Sequence, residues 1–157
     1  MKIILLFLLL FFNIATAQEP TTRKDSLKGS LRIERTCYNV LRYDLNIKVT
    51  PAEKYVVGFN EITFKVVTNT KKIQLDLFNN MKIDSIVFNN KKLKYKREFD
   101  AVFINLGKEL SAESENKIRF YYSGNPIIAQ KAPWDGGFVY KNDSNGKDWV
   151  GVAVQGT

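Results

Sequence analysis

Tyr43-Asp44-Leu45-Asn46-Ile47-Lys48-Val49-Thr50 alternates apolar and polar side chains without a break. Successive side chains of an extended chain point to opposite faces. The period of two therefore predicts a strand with Tyr43, Leu45, Ile47 and Val49 on an apolar face and Asp44, Asn46, Lys48 and Thr50 on a wet one. Pro51 ends it, since proline cannot donate to a ladder. Downstream, a second strand is expected from about Tyr55 to Val67, with Ile62, Phe64 and Val66 on one face. Val57 and Phe59 fall in the opposite phase, which predicts a bulge or twist near Gly58 to Glu61.

The same reading continues along the chain. Ile73, Leu75 and Leu77 alternate after a turn at Asn69-Thr70, and Asn79-Asn80 separates them from a strand over Ile83 to Phe88. Asn89-Asn90 predicts a tight hairpin, because asparagine tolerates positive φ better than most residues. Further alternation follows at Leu93 and Tyr95, at Val102, Ile104 and Leu106, and at Ile118, Phe120 and Tyr122. No long window keeps a helical period, and Leu110 to Glu115 has room for one turn at most. Seven or eight short strands separated by turn residues predict an all-β fold, an antiparallel β-sandwich.

The chain has 157 residues, with 24 Lys+Arg against 16 Asp+Glu and a formal charge of +8; apolar residues make up 45%. Those proportions exclude a disordered or collagen-like chain and suit one domain. There is no His and only one Cys. A His-based triad, a His–Cys nucleophile pair and an ordinary zinc site are thereby excluded within this chain. Cys37 has no internal partner for a disulfide, and is read as a small, half-buried residue at a strand start.

Residues 1–17 read as a secretory signal peptide. Lys2 supplies the charge, Ile3 to Phe12 an unbroken apolar run, and Ala15-Thr16-Ala17 a small-x-small cleavage pattern. The run is about half the ~20 residues a membrane span needs, so no stable membrane span is expected. Export to the periplasm or the extracellular space follows, with the mature chain starting at Gln18. Residues 18–34 are polar and aperiodic and read as a flexible leader, and residues 35–157 as the β domain.

Three clusters invite chemistry. Lys91, Lys92, Lys94, Lys96 and Arg97 form the densest basic run, but Leu93 and Tyr95 alternate with the lysines, as on a solvated strand face. Nucleic-acid binding would want aromatic platforms among the charges and is not expected. Asn142-Asp143-Ser144-Asn145-Gly146 resembles a calcium loop, but Lys141 and Val152 stand where the EF-hand pattern wants acidic ligands. It reads as a polar hairpin turn between Phe138–Tyr140 and Trp149–Val154. Asn142-Asp143-Ser144 is also a formal glycosylation triplet. Asp135, beside Trp134 and Gly136-Gly137, would need a second carboxylate such as Asp143 or Asp148 held nearby for acid–base work. A tight loop with glycine freedom is the preferred reading.

Four stretches in order resemble the N-terminal β domain of the aminopeptidase N family of zinc metallopeptidases, in its bacterial exported form. They are Arg35-Thr36-Cys37-Tyr38-Asn39-Val40-Leu41-Arg42-Tyr43-Asp44-Leu45; Ile73-Gln74-Leu75-Asp76-Leu77; Ile118-Arg119-Phe120-Tyr121-Tyr122-Ser123-Gly124; and Pro133 to Val139 with Trp149 to Gly156. The resemblance implies a saddle-shaped antiparallel domain packed against a thermolysin-like catalytic domain of the same polypeptide. That second domain would carry the zinc, a His-Glu-x-x-His helix and a Gly-x-x-Glu-Asn substrate motif, none of which is in this sequence. The parent would remove N-terminal residues from peptides, whereas this chain alone, with no catalytic residues, is expected to be inactive. One site residue carries over: Gln155, which by alignment would help hold the substrate's free α-amine. Trp149 to Val154 reads as a strand in mid-course, so a continuation past Thr157 is expected. The alternative is a free-standing secreted β-sandwich that binds a protein or glycan through Trp134 and Trp149.

Overall fold

The computed structural model describes residues 20–153. The signal-peptide reading of residues 1–17 and the substrate role of Gln155 lie outside the described residues. By contacts the chain divides into residues 1–30 and 31–157.

In the first unit, α1 (Arg23–Gly29) starts at a capping box: the Thr22 side chain accepts from the Asp25 amide while the Asp25 carboxylate takes the Thr22 amide at 2.9 Å. A second helical turn, α2 (Ile33–Thr36), opens the larger unit. The stretch read as a flexible leader therefore contains regular structure. Its signature, a Thr followed three residues later by an Asp, is local and independent of hydrophobic period.

The larger unit is all-β. β1 (Tyr38–Thr50), β2 (Tyr55–Val66), β8 (Glu115–Gly124), β4 (Lys82–Phe88) and β5 (Lys91–Lys92) form a five-stranded antiparallel sheet in that order. β3 (Thr70–Asp76), β7 (Ala101–Leu110) and β6 (Tyr95–Glu98) form a three-stranded sheet, and β9 (Gly137–Asn142) pairs with β10 (Asp148–Ala153) as a separate hairpin. The antiparallel sandwich expected from the alternation is present, with ten strands among the described residues where seven or eight were expected. The two-residue β5 is too short for a period to register, and the alternation at Leu93 and Tyr95 corresponds only to the start of the four-residue β6.

The core lies between the two main sheets. Ile62, Phe64 and Val66, Ile118 and Phe120, and Ile86 and Phe88 face Ile73 and Leu75 with Val102, Ile104 and Leu106. Burial of these aliphatic and aromatic side chains is the main drive to fold. Asn89 and Asn90 both take positive φ, 48° and 60°, and join Phe88 to Lys91 as the two-residue hairpin that the pair predicted.

The phase change between β1 and β2 is handled differently from expectation. β2 keeps an unbroken register with both neighbours from Val56 to Lys65, so there is no bulge near Gly58 to Glu61. Val57 and Phe59 simply face outward, where the Phe59 ring meets Tyr121 at 5.0 Å. The register shift sits in β1 between Val40 and Arg42, at Leu41. One inserted residue moves the inward set from Tyr38 and Val40 to Tyr43, Leu45 and Ile47. Gly58 has its own requirement: a Cβ there would stand 2.1 Å from the Asn46 carbonyl oxygen.

Two side chains differ from their expected surroundings. Cys37 is fully rather than half buried, with its thiol directed to the Lys72 carbonyl oxygen at 3.8 Å. Arg97 does not share the solvated face of the neighbouring lysines. Its guanidinium donates to the carbonyl oxygens of Met81 (2.8 Å), Leu77 (2.6 Å) and Phe78 (2.6 Å), and its Nε to that of Phe99 (3.2 Å). Arginine's fixed fork of donors suits this convergence of acceptors, and a lysine could not reproduce it.

Candidate functional site

The inner face of the five-stranded sheet extends beyond the three-stranded sheet that covers it. Register places Tyr43 opposite Ile62, Leu45 opposite Asn60 and Ile47 opposite Gly58. Directly opposed residues share a face, so all three point the same way as the core. Yet Tyr43 is 57% exposed, Leu45 64% and Ile47 44%. A run of apolar side chains on one strand, facing inward and uncovered, is the signature of a surface built to meet something else.

Where the cover ends, a groove of about 370 Å³ opens between the sheets. Tyr38 closes its floor: its ring packs edge-on to Phe64 at 5.5 Å, and its hydroxyl donates to the Gln74 carbonyl oxygen at 2.7 Å. Burial pushes the Tyr38 phenol well above its ordinary pKa, and Tyr122 on the same groove shifts upward for the same reason. Both are neutral donors at any physiological pH. The rim carries an ion pair, Arg35 Nη1 to Asp76 Oδ2 at 2.7 Å, while Asp76 Oδ1 accepts from the Gln74 amide at 2.9 Å. Asn60 Oδ1 is buried in the groove wall with no hydrogen-bond partner among the described residues. The Tyr38 proton is engaged by Gln74, so the groove offers apolar contact, the Tyr122 phenol as a donor and Asn60 Oδ1 as a waiting acceptor.

The sequence candidates for chemistry do not come together. Asp135 organises its own loop, accepting from the backbone amides of Lys131 (2.8 Å) and Gln130. Those bonds, the Lys131 amide first, hold its carboxyl below the ordinary range. Asp143 is likewise consumed by the turn it begins: its Oδ1 accepts from the amides of Asn145 (2.8 Å) and Lys147 (2.9 Å), and Gly146 takes φ 75°. The structure has the polar turn expected at Asn142 to Gly146, with Asp143 Oδ1 closing it. No group of three His, Cys, Asp or Glu side chains able to hold a metal occurs among the described residues. No helix among them is long and apolar enough to cross a membrane.

The β9–β10 hairpin pairs Gly137 with Ala153 through Asn142 with Asp148. Gly137 must be glycine: at φ 146° a Cβ would lie 2.7 Å from both the Ala129 nitrogen and the Ile127 carbonyl oxygen. Ile128 bridges Phe138, which ties the Asp135 loop to the hairpin base. Trp134 is 82% exposed, and the Trp149 ring lies over Gly151, where a Cβ would stand 2.7 Å from it. The two tryptophans singled out in the sequence are thus on the surface. The bare inner face of β1 and the groove beside it were missed, because alternation reports which face is apolar and not whether anything covers it.

No protein-family model matches this sequence, and neither does any curated protein. Solved structures match by fold. The chain is similar to an M1 zinc metallopeptidase from Deinococcus radiodurans, with a TM-score of 0.54 and 21% identity, covering 60% of this chain and 22% of that one. It is similar to a variant of a two-domain M1 zinc metallopeptidase bound to L-arginine, with a TM-score of 0.55 and 18% identity, over 72% and 28% of the two chains. It is also similar to native yeast LTA4 hydrolase, with a TM-score of 0.55 and 16% identity, over 73% and 18%. The chain spans about a quarter or less of the length of these proteins. Its β fold is one found within M1 zinc metallopeptidases.

Proposed function

We propose that this chain is the N-terminal β domain of an exported zinc aminopeptidase of the M1 type. The observation that carries the reading is the bare inner face of β1, Tyr43, Leu45 and Ile47, in a fold shared with M1 zinc metallopeptidases. On this reading the face docks a catalytic domain of the same polypeptide. The signal-peptide pattern of residues 1–17 supports export.

The zinc that this fold implies is not held here. With no His in the sequence and the single Cys buried against the Lys72 carbonyl, this chain's donors do not fit the metal. What the chain contributes is binding. Gln155 carries a side-chain carbonyl that can accept from a substrate's α-ammonium group, a charge-assisted bond.

The test begins with the intact mass and zinc content of the natural mature polypeptide, followed by assay on aminoacyl substrates. Sequence beyond Thr157, bound zinc and release of N-terminal residues are expected. Gln155→Ala should then lower kcat/KM by about 10- to 100-fold, the range for losing a charge-assisted hydrogen bond. A native polypeptide without zinc or peptidase activity would overturn the reading. It would favour the second one, a binding module acting through the exposed Trp134 and Trp149, for which Trp134→Ala should abolish partner capture.

A further inference from the structure

Six lysines, Lys71, Lys91, Lys92, Lys94, Lys96 and Lys108, gather at one end of the three-stranded sheet although they come from β3, β5, β6, β7 and the link between β5 and β6. Register brings them there. Lys72 pairs with Asn105, the Asn105 amide donates to the Lys94 carbonyl oxygen at 3.1 Å, and Lys96 stands opposite Phe103. One shallow hollow of about 460 Å³ is walled by Lys71, Lys72, Lys94 and Lys96; a second, of about 480 Å³, by Lys91, Lys92, Lys94 and Lys108. Lys94 and Asn105 line both, so the two hollows form one surface. No carboxylate lines either. None of the six lysines forms an ion pair with a described residue, whereas Lys72 has Glu34 at 3.7 Å.

We propose that this lysine face docks onto an anionic lipid surface, with headgroup phosphates as the counter-charge the protein itself does not supply. Lysine ammoniums on flexible stems suit phosphates of variable spacing, where no planar, bidentate recognition is needed. Single-stranded nucleic acid would want open aromatic faces. The Phe103 ring is not open: it is buried, with Lys72 Nζ at 4.6 Å from its centre and the Arg32 guanidinium at 5.7 Å. The other hollow has Leu93 and Leu106 in its wall. The proposal stands apart from the peptidase reading, because none of the lysines belongs to β1 or to the groove beside it.

The test is co-sedimentation of the full natural polypeptide with phosphatidylcholine vesicles, with and without phosphatidylglycerol. Binding should require phosphatidylglycerol and weaken steeply with added salt. The triple variant Lys92→Gln, Lys94→Gln, Lys96→Gln should lower the partition coefficient on the order of 100-fold, about fivefold per lysine. Lys48→Gln, Lys54→Gln, Lys141→Gln, which removes the same charge from exposed positions elsewhere, should change it little, with circular dichroism confirming the fold of both. Soluble inorganic phosphate should compete no better than chloride at equal ionic strength. Several results would overturn the proposal: equal binding to uncharged vesicles, equal loss in both triple variants, specific competition by free phosphate, or tighter binding to an oligonucleotide at matched phosphate concentration.

Discussion

The two ends of the β1–β2 pair carry the same kind of pattern and meet different fates. Toward the end of β2, Ile62, Phe64 and Val66 face inward and vanish beneath the three-stranded sheet, with Phe64 and Val66 fully buried. Along β1, Tyr43, Leu45 and Ile47 face the same way and stay in water. The difference teaches that an apolar strand face records a need for cover, and only the path of the rest of the chain says where the cover comes from. In this molecule the cover is β3, β7 and β6, which end short of Leu45.

The largest expected effect lies in the covered half. Phe64→Ala should destabilise the fold by about 3–5 kcal/mol in chemical denaturation, through lost transfer energy and the cavity left behind. Leu45→Ala should stay within about 0.5 kcal/mol, as for an ordinary surface position. Equal costs at the two sites would break the comparison. Arg97 sharpens it next, because it ties β6 to the link between β3 and β4, where the chain passes from the cover to the larger sheet, through the carbonyls of Leu77, Phe78 and Met81. Arg97→Met should cost about 2 kcal/mol, mainly from carbonyls left without donors, and Arg97→Lys should recover little of it.

The uncovered half should show itself in association rather than stability. β1 is a thirteen-residue edge strand, paired on one side only, with Leu41, Tyr43, Leu45 and Ile47 exposed. Such edges pair with other chains unless blunted. Leu45→Lys should therefore shift analytical ultracentrifugation profiles toward monomer at unchanged helix and strand content.

The smallest effect is local and pH-dependent. Because backbone amides hold the Asp135 carboxyl below its ordinary value of 3.8, its contribution to the 130–135 loop is complete above that value. It is lost only as the pH falls through the lowered one. Hydrogen-exchange protection of the Lys131 amide should hold at neutral pH and drop in strong acid. Asp135→Asn should lower it at neutral pH to about the level the native protein reaches in strong acid.

Much of this was legible from composition and period. Alternation located the main strands, Asn89-Asn90 gave its hairpin, and Asn142 to Gly146 gave its turn. These are local matters, since side-chain direction, turn dihedrals and the absence of His follow from neighbouring residues or from a count. The helix Arg23–Gly29 was also local, written in the Thr22–Asp25 box, but a reading tuned to hydrophobic period passed over it.

The rest was decided in three dimensions. The sequence placed the irregularity in β2, but the pairing put it at Leu41, because an extra residue settles where the partner strand leaves it unpaired. Arg97 looked like one more surface cation until three distant carbonyls converged on it, those of Leu77, Phe78 and Met81. The lysine face likewise exists only because the ladders of β3, β7 and β6 bring separate segments side by side. The sequence by itself determined which faces of the strands are apolar, because that depends on alternation along one chain. Which of those faces are covered depends on contacts between residues far apart in the chain, and only the tertiary structure decided it.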